Sequence, residues 1–384
     1  MKVLILTAKF GMGHLSASNS IKEDILKFDK NADIKIIDLF EYSMPVLSEY
    51  IYKGFNLVVK YAKDIYGAYY SVNDKKIENK DLMTRKFASD CERLFEEENP
   101  DVVVSTFPVV SQGVSYYKKK TGSKVGLITC ITDVSSHYEW ITDYTDKYMV
   151  PCMESKKGLI EKGVSEDRIV VYGIPVSGKF KENYYKLSQP TVIEKRSKIV
   201  EMSSYRKRKE LLIMGGGLGM LPDNKEFYEK LNDVYSIHTT IVAGNNKELY
   251  DMLYNSYENI TVLGYTDRVS ELMEDADCVV TKPGGITMFE AIYSLTPIVS
   301  FFTKLPNELK NVDFIQDNNF GIVLNESAEK SIDRIVRFVN NESRTEEVKR
   351  SMNNFVASLD SRYFDKYTMD LQVINSEGKK IDNL

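Results

Sequence analysis

Three titratable side chains stand beside breaks in apolar runs, where an α/β protein commonly places its chemistry. His14 closes the glycine turn Gly11-Met12-Gly13, Asp133 follows an apolar run, and Glu290 lies seven residues after Pro283. A neutral imidazole can accept a proton from an attacking hydroxyl, and Asp133 could orient a histidine or act as the base itself. Glu290 could accept hydrogen bonds from a ribose diol. The structural alternatives stay open, since His14 could cap or pack the first helix and Asp133 could cap another.

Two further glycine turns could hold an anion. Gly215-Gly216-Gly217-Leu218-Gly219 and Lys282-Pro283-Gly284-Gly285 each follow a short apolar run. Backbone N–H groups at such turns, and at the start of the next helix, bind phosphate well. An ordinary tight turn is the alternative at each. In the second turn we expect Thr287 to cap a helix over residues 288–294, with Glu290 in its first turn.

These turns require a sheet to hold them together. Apolar runs typical of buried strands alternate with helical patterns such as residues 16–28. This alternation predicts an α/β fold with a parallel, doubly wound sheet, whose carboxyl edge would carry every turn named above. The predicted strands are residues 2–7, 33–38, 101–106, 124–132, 147–150, 169–171, 211–214, 239–243, 260–263, 279–280 and 297–302.

The chain length predicts two domains, because 384 residues exceed what one hydrophobic core usually holds. Basic and polar residues accumulate between Ser177 and Glu210, where the periodic pattern fades, so we interpret this stretch as a linker. The domains would be residues 1–176 and 177–384, each opening with strand, glycine turn and helix. Terminal helices from about Ala328 could pack back on the first domain.

Composition excludes several classes of protein. A charged content of 28% and an apolar content of 43% are globular, and a net charge of −5 argues against general nucleic-acid binding. No window of about 18 apolar residues is present. Four scattered cysteines form neither a zinc set nor a disulfide frame, which favours the cytosol. Neither GxGxxG with a downstream acid nor GxxxxGK[ST] occurs, so a dinucleotide oxidoreductase or P-loop enzyme is weakly supported.

Residues 40–75 are unusually aromatic, with Phe55 and eight other rings among lysines at positions 53, 60 and 63. A tyrosine-rich stripe at helical spacing is usually core. The same composition also fits an amphipathic surface on lipid headgroups, and the two interpretations carry equal weight. The basic runs 118–120 and 206–209 could contact anionic lipid, although such runs more often form a solvated face.

Together these landmarks resemble the monogalactosyldiacylglycerol synthase and processive diacylglycerol glucosyltransferase family, from about residue 3 to about residue 322. GMGH at 11–14 resembles its GxGH turn, and TDVSSHYEW at 132–140 resembles its TDxxxHxxW signature. LLIMGGGLG, VAGNN, LGYTD, TKPGGITMFEA and LPNELKN follow in the family's order. A more distant similarity is to the lipid-intermediate N-acetylglucosaminyltransferase of peptidoglycan synthesis, which lacks the TDxxxHxxW signature.

The resemblance implies the GT-B fold, in which two Rossmann-like domains face each other across a cleft. The N-terminal domain would take a lipid acceptor and the C-terminal domain a nucleotide sugar, with no metal cofactor. The implied catalytic residues are His14, with Asp133 as its orienter or replacement. The implied donor-binding residues are Gly216, Gly217, Gly219, Asn245, Tyr265, Lys282, Gly284, Gly285, Thr287, Glu290, Asn307, Glu308 and Asn311, and the implied acceptor residues are Gly11, Gly13, His137, Trp140 and Phe55.

The chain departs from the family pattern at the residue expected to contact the sugar. Asn307 stands where the family usually has a glutamine that contacts sugar hydroxyls, and it is one methylene shorter. Met12 stands where a glycine is common. The choice between glucose and galactose therefore stays open.

The expected activity is inverting transfer of a hexose from a UDP-sugar to diacylglycerol or glycosylated diacylglycerol. The expected partners are the UDP-sugar, diacylglycerol in the membrane and an anionic phospholipid surface, without nucleic acid, and the expected location is peripheral, on the cytoplasmic face of the cell membrane. One alternative is an undecaprenyl-linked acceptor, against which the TDVSSHYEW signature argues. The other is a non-catalytic nucleotide-sugar or lipid-binding protein.

Overall fold

The computed structural model describes residues 1–61, 82–188, 208–216, 221, 224–303 and 305–360. All eleven predicted strands are present with ends within two residues of the predicted positions, and a twelfth strand forms at Gly321–Leu324. They form two six-stranded sheets in which every pairing is parallel. The predicted α/β class is therefore confirmed.

The N-terminal sheet has the order β2-β1-β3-β4-β5-β6. β1 is buried on both faces from Val3 onward, as expected of a strand covered by helices on either side. The strands are β1 (Lys2–Thr7), β2 (Asp33–Asp38), β3 (Val102–Ser105), β4 (Gly126–Cys130), β5 (Lys147–Val150) and β6 (Ile169–Val171). The helices are α1 (Gly13–Phe28), α2 (Leu39–Ser43), α3 (Leu47–Tyr61), α4 (Leu82–Glu98), α5 (Pro108–Thr121), α6 (Met153–Glu161) and α7 (Gly178–Leu187).

The C-terminal sheet has the order β12-β11-β10-β7-β8-β9. Its strands are β7 (Lys209–Met214), β8 (Ile237–Val242), β9 (Ile260–Leu263), β10 (Cys278–Thr281), β11 (Ile298–Phe301) and β12 (Gly321–Leu324). Its helices are α8 (Lys225–Asn232), α9 (Lys247–Leu253), α10 (Val269–Asp275), α11 (Gly285–Tyr293), α12 (Pro306–Asp317), α13 (Ala328–Val339) and α14 (Glu342–Ala357).

Each sheet reverses its strand order at the point that carries the glycine turns. In the first sheet β1 lies between β2 and β3, so the turn before His14 and the segment after β3 share one edge. In the second sheet β7 lies between β8 and β10, so Gly216 and Lys282 follow adjacent strands. Ligands of open α/β sheets bind at these switch points.

The stretch after Ser177 differs from the predicted linker, because α7 forms there. The Glu23 carboxylate accepts the backbone N–H of Gly178 at 2.7 Å, which satisfies one of the free donors at the helix start. On the other face Phe180 and Tyr184 pack into the large hydrophobic core. Residues 189–207 of the predicted linker lie outside the described ranges.

The end of the described chain returns to the first domain. The backbone N–H of Asp360 donates to the carbonyl of Val171 at 2.9 Å, and Leu359 lies against Gly173, whose φ of +89° favours glycine. On α14, Asn353 accepts a hydrogen bond from the Tyr184 hydroxyl at 3.0 Å. The residues that follow α14 therefore contact the N-terminal domain.

Candidate active site

A cleft of about 470 Å³ separates the carboxyl edges of the two sheets. Its N-terminal wall is the β1–α1 turn and the segment after β4, and its C-terminal wall is the turns after β7 and β10. The predicted site residues that line it are Gly11, Gly13, His14, Asp133, Gly216, Tyr265, Lys282, Gly284, Gly285, Thr287, Glu290, Glu308 and Asn311. Residues more than 300 positions apart in the chain thus share one cavity.

The other predicted residues lie elsewhere. Asn245 borders a separate shallow depression beside Lys247 and Tyr250. Gly217 and Gly219 lie outside the described residues, as does the side chain of Asn307. Among the residues that the structure describes, three predicted acceptor side chains are absent from the cleft wall: His137, Trp140 and Phe55.

His14 is held in one tautomer by the protein backbone. Its Nδ1 lies 2.9 Å from the carbonyl oxygen of Thr106 and 3.0 Å from Oγ1 of Thr132. A carbonyl can only accept, so Nδ1 carries the proton and Nε2 keeps its lone pair. Burial lowers the His14 pKa from 6.5 to about 4, although the bond to Thr106 opposes that effect. The imidazole is therefore neutral at pH 7, with Nε2 able to take a proton.

Asp133 lies in the same wall but does not orient His14. The contacts that orient the imidazole come from Thr106 and Thr132, and the described residues show no hydrogen bond between His14 and Asp133. Its Oδ1 is buried without a hydrogen-bond partner in the part of the chain that the structure describes. Burial, and secondarily the nearby charge of Glu139, raise the Asp133 pKa to about 7.

The histidine and tryptophan of the TDVSSHYEW signature support the segment after β4 from the side away from the cleft. His137 Nδ1 accepts the backbone N–H of Glu139 at 3.2 Å and so caps a short 3₁₀ turn at 138–140. Trp140 is only 3% exposed and packs against Ile131 and Tyr148. Both rings are buried beneath the loop and do not line the described cleft wall, so their predicted acceptor role stays a prediction.

Lys282 is the one cationic side chain among the described residues of the cleft wall. Its Nζ lies 3.1 Å from Oε1 of Glu308, and Glu308 Oε2 accepts the Thr303 hydroxyl at 3.0 Å. A Cβ added at Gly216 or Gly284 would stand 3.6 or 3.7 Å from Lys282 Cε. The lysine stem thus passes between the two glycine turns.

Helix α11 begins earlier than predicted. Gly284 is its N-cap, in an extended conformation, and no side-chain hydrogen bond caps the helix. Thr287 is therefore the third helical residue and not the cap, and Glu290 falls in the second turn. Burial alone raises the Glu290 pKa from 4.5 to about 7, and this carboxyl lines the cleft with no ion-pair partner among the described residues. Glycine is required at 285 because a Cβ there would lie 2.4 Å from the Thr132 carbonyl oxygen.

Asn311 reaches backbone groups of both domains. Its Oδ1 accepts the backbone N–H of Val134 at 3.0 Å, and its Nδ2 donates to the carbonyl of Pro283 at 2.8 Å. The side chain predicted to contact the donor therefore joins the two walls of the cleft.

The described part of the aromatic segment packs one face of α3 inward and leaves apolar side chains exposed on the other, and its lipid-surface interpretation stays a prediction. On the inner face the ring of Phe55 lies edge to face with Phe10, which in turn stacks on Phe107 beside His14. On the outer face Tyr50 and Leu57 are 68% and 59% exposed. Residues 62–75 of the segment lie outside the described ranges.

Sequence reasoning missed Thr106 and Thr132 as the groups that orient His14. Both follow strands of the first sheet, and Thr106 comes directly after β3, the neighbour of β1. The position of Thr106 at the switch point was the signal in the sequence that could have indicated its contact with His14. Thr132 opens the TDVSSHYEW signature and Thr106 belongs to no motif, and neither fact indicates a contact with His14.

Two known family models match the chain, one on each side of the cleft. A family model described as monogalactosyldiacylglycerol (MGDG) synthase matches residues 14–176, and one described as the glycosyltransferase family 28 C-terminal domain matches residues 211–363. A processive diacylglycerol beta-glucosyltransferase of Bacillus subtilis is 30% identical over 396 residues, covering 100% of this chain and 94% of the relative. A protein of the same name from Bacillus pumilus is 29% identical, covering 92% and 90%.

Solved structures agree on the architecture. MurG of Acinetobacter baumannii superposes with a TM-score of 0.60 at 12% identity, covering 97% of this chain and 99% of that one. The S. aureus MnaA–UDP complex gives 0.59 at 12% identity, covering 96% and 97%. At this identity the likeness concerns the fold alone, and it confirms the expected GT-B arrangement.

Proposed function

The chain belongs to the family of monogalactosyldiacylglycerol synthases and processive diacylglycerol glucosyltransferases within glycosyltransferase family 28. On this premise we propose that it transfers a hexose from a UDP-sugar to diacylglycerol or to glycosylated diacylglycerol. The observation that carries the proposal is the pairing of two groups across one cleft. A histidine with a free Nε2 stands on one wall, and a lysine between two glycine turns stands on the other.

The reaction is a single in-line displacement with inversion at the anomeric carbon. The acceptor hydroxyl gives its proton to Nε2 of His14 while its oxygen forms the new bond to that carbon. The bond from the carbon to the diphosphate oxygen breaks, and its electron pair leaves on UDP. Holding both substrates in one cleft replaces an encounter in solution with a fixed geometry.

Stabilising the leaving diphosphate falls to Lys282 and the glycine-turn amides. The cleft wall carries four carboxyl side chains (Glu23, Asp133, Glu290 and Glu308) against this one described cation. A diphosphate brought into such a site needs a positive neighbour, and the Lys282 ammonium is adjacent to both turns. Glu308 holds the ammonium in place at 3.1 Å. In this proposal no metal takes part.

Glu290 suits the ribose of the donor. A buried carboxyl with a raised pKa gains from two hydroxyl donors, because they satisfy the oxygens that burial has stripped of water. The two Bacillus relatives are named glucosyltransferases, which favours glucose over galactose as the hexose. Asn307, shorter than the family's glutamine, is the residue through which this chain could differ.

We further propose that the enzyme works as a peripheral protein at the cytoplasmic face of the membrane. None of the described helices is long and apolar enough to span a bilayer. Leu47, Tyr50, Leu57 and Val58 recur at helical spacing on the exposed face of α3, which gives an apolar stripe that can enter the lipid interface.

Anionic lipid would add less to this binding than apolar burial. Lys53 beside the stripe is already paired with Glu49 at 2.7 Å, so it offers little net charge to phosphate headgroups. Membrane binding should therefore be only weakly sensitive to salt, because the apolar part is unscreened.

The direct test is incubation of the purified protein with diacylglycerol liposomes and a panel of UDP-sugars. Formation of hexosyldiacylglycerol from UDP-glucose supports the proposal, and transfer from UDP-galactose alone would reverse the choice of sugar. Transfer only to an undecaprenyl-linked sugar would replace the acceptor. UDP binding without turnover on any acceptor would indicate a non-catalytic nucleotide-sugar binder.

A further inference from the structure

Asn311 is the most completely buried polar side chain of the cleft wall, with 1% of its surface exposed. It lies in α12 of the C-terminal domain. Its two bonds cross the cleft floor, from Val134 in the N-terminal domain to Pro283 in the donor-side glycine turn. One amide therefore fixes the distance between a segment of the acceptor side and a turn of the donor side.

The segment that Asn311 holds also carries the groups around the base. Thr132, two residues before Val134, contacts Nδ1 of His14 through its hydroxyl at 3.0 Å. The Thr132 carbonyl packs directly on Gly285 at the start of α11, and the Val134 side chain lies in the core of the C-terminal domain. Residues 132–134 thus connect His14 with the donor turn through contacts on both sides.

We propose that Asn311 is a positioning residue, which sets the distance between the base His14 and the donor's anomeric carbon by holding residues 132–134 to the turn at Pro283. This inference rests on the proposed transferase function. It assigns Asn311 to the junction between the walls, in place of the donor contact expected from the family motif.

The expected consequence is a selective loss of turnover. Removing the amide leaves the buried Val134 N–H and the Pro283 carbonyl unpaired, so the two walls will shift until each finds water or another partner. A displacement of about 1 Å between reacting groups can cost about 10²-fold in rate. Donor affinity depends on groups within the C-terminal wall, so it should change much less.

The first experiment compares Asn311→Leu with Asn318→Leu in the full chain. Asn318 caps the end of the same helix, and among the described residues its side chain bonds only to Phe314 of that helix, so it controls for effects on α12. For Asn311→Leu we expect kcat for transfer to diacylglycerol to fall about 10- to 100-fold, with the Kd for UDP within about 3-fold of the parent. Hydrogen exchange at the Val134 amide should accelerate in this variant and not in the control.

The second experiment uses a substitution that restores the bonds at low pH. In Asn311→Asp the ionised carboxylate still accepts from Val134 but faces the Pro283 carbonyl without a proton to donate. Once protonated, the acid offers both an acceptor and a donor, as the amide does. The ratio of kcat in this variant to kcat in the parent should therefore rise as pH falls.

Several results would overturn the inference. If UDP affinity falls together with kcat in Asn311→Leu, Asn311 contacts the donor and does not position the base. If kcat is unchanged, Asn311 neither binds the donor nor positions the base. A flat kcat ratio for Asn311→Asp, or unchanged exchange at Val134 in Asn311→Leu, would equally refute the junction. If the parent transfers no sugar, the proposed function fails, while the exchange measurement still decides whether Asn311 holds Val134.

Discussion

Replacing His14 with asparagine separates its role as a base from its hydrogen bond to the Thr106 carbonyl. The amide nitrogen of asparagine can take the place of Nδ1 and donate to the Thr106 carbonyl, as the histidine does at 2.9 Å. The substitution deletes only the ring atoms beyond it, including the basic Nε2. We expect kcat to fall by about 10²- to 10⁴-fold, the usual contribution of a general base, while UDP affinity stays near that of the parent.

The same substitution should make the protein more resistant to acid. In the folded parent the His14 pKa is about 4 and in the unfolded chain about 6.5, so the unfolded state binds the extra proton first. Stability is therefore unaffected above pH 6.5 and falls as pH drops towards 4. The full loss is up to about 3 kcal/mol, an upper value because the ring borders the open cleft. His14→Asn removes this loss.

Urea unfolding at pH 7 and pH 4.5, on parent and variant, measures the difference. The variant should lose less stability between these pH values, because Asp133 and Glu290 titrate alike in both proteins and cancel. A variant that keeps most of its turnover would exclude His14 as the base. An equal acid loss in both proteins would refute the neutral, buried imidazole.

The pH dependence of kcat/KM then tells His14 from Asp133 as the base. A base with a pKa of about 4 keeps its activity well below pH 6, whereas a base with a pKa of about 7 loses it below neutrality. Glu290 also has a pKa of about 7, so the profile is repeated in Glu290→Gln. If Glu290→Gln still loses activity near pH 7, the result favours Asp133 as the base.

Three further changes test the rest of the site. Glu290→Gln should weaken UDP binding by about 1 to 3 kcal/mol through loss of a charged acceptor, and unchanged affinity in calorimetry would refute the ribose contact. Lys282→Met should lower kcat by about 10²- to 10³-fold, with partial recovery in Lys282→Arg; equal activity of all three proteins would remove the lysine from leaving-group stabilisation. Leu57→Ser with Val58→Ser should release the protein from liposomes at an unchanged melting temperature, whereas Phe55→Ser, on the inner face, should lower that temperature. Liposome binding that survives the double change would exclude the α3 stripe.

The strands and their turns were predictable because they depend on local pattern. A short apolar run followed by glycines is typical of a parallel strand and its turn, and the family motifs added the order of the two domains. The start of α11 was not predictable in the same way. Thr287 is a good capping residue by type, but the helix starts at Gly285, where the Thr132 carbonyl of the other domain packs closely.

Side-chain contacts within the motifs could not be predicted in this way, because a motif records which residues recur and not what they touch. Trp140 and His137 belong to the signature, yet they pack and cap beneath the loop. Asn311 belongs to the donor motif, yet its bonds reach across to Val134. Such roles depend on contacts between residues far apart in the chain, which no local pattern encodes.

The return of the chain to the first domain has a consequence for how the two halves come apart. Asp360 is bonded to Val171, and Leu359 covers Gly173, so the last described residues fasten the second half to the final strand of the first. Separating the halves would expose Ile174 and Val176, which share one core with the second sheet. We expect calorimetry to record one heat-absorption peak for both halves, and residues 1–176 expressed alone to be prone to aggregation.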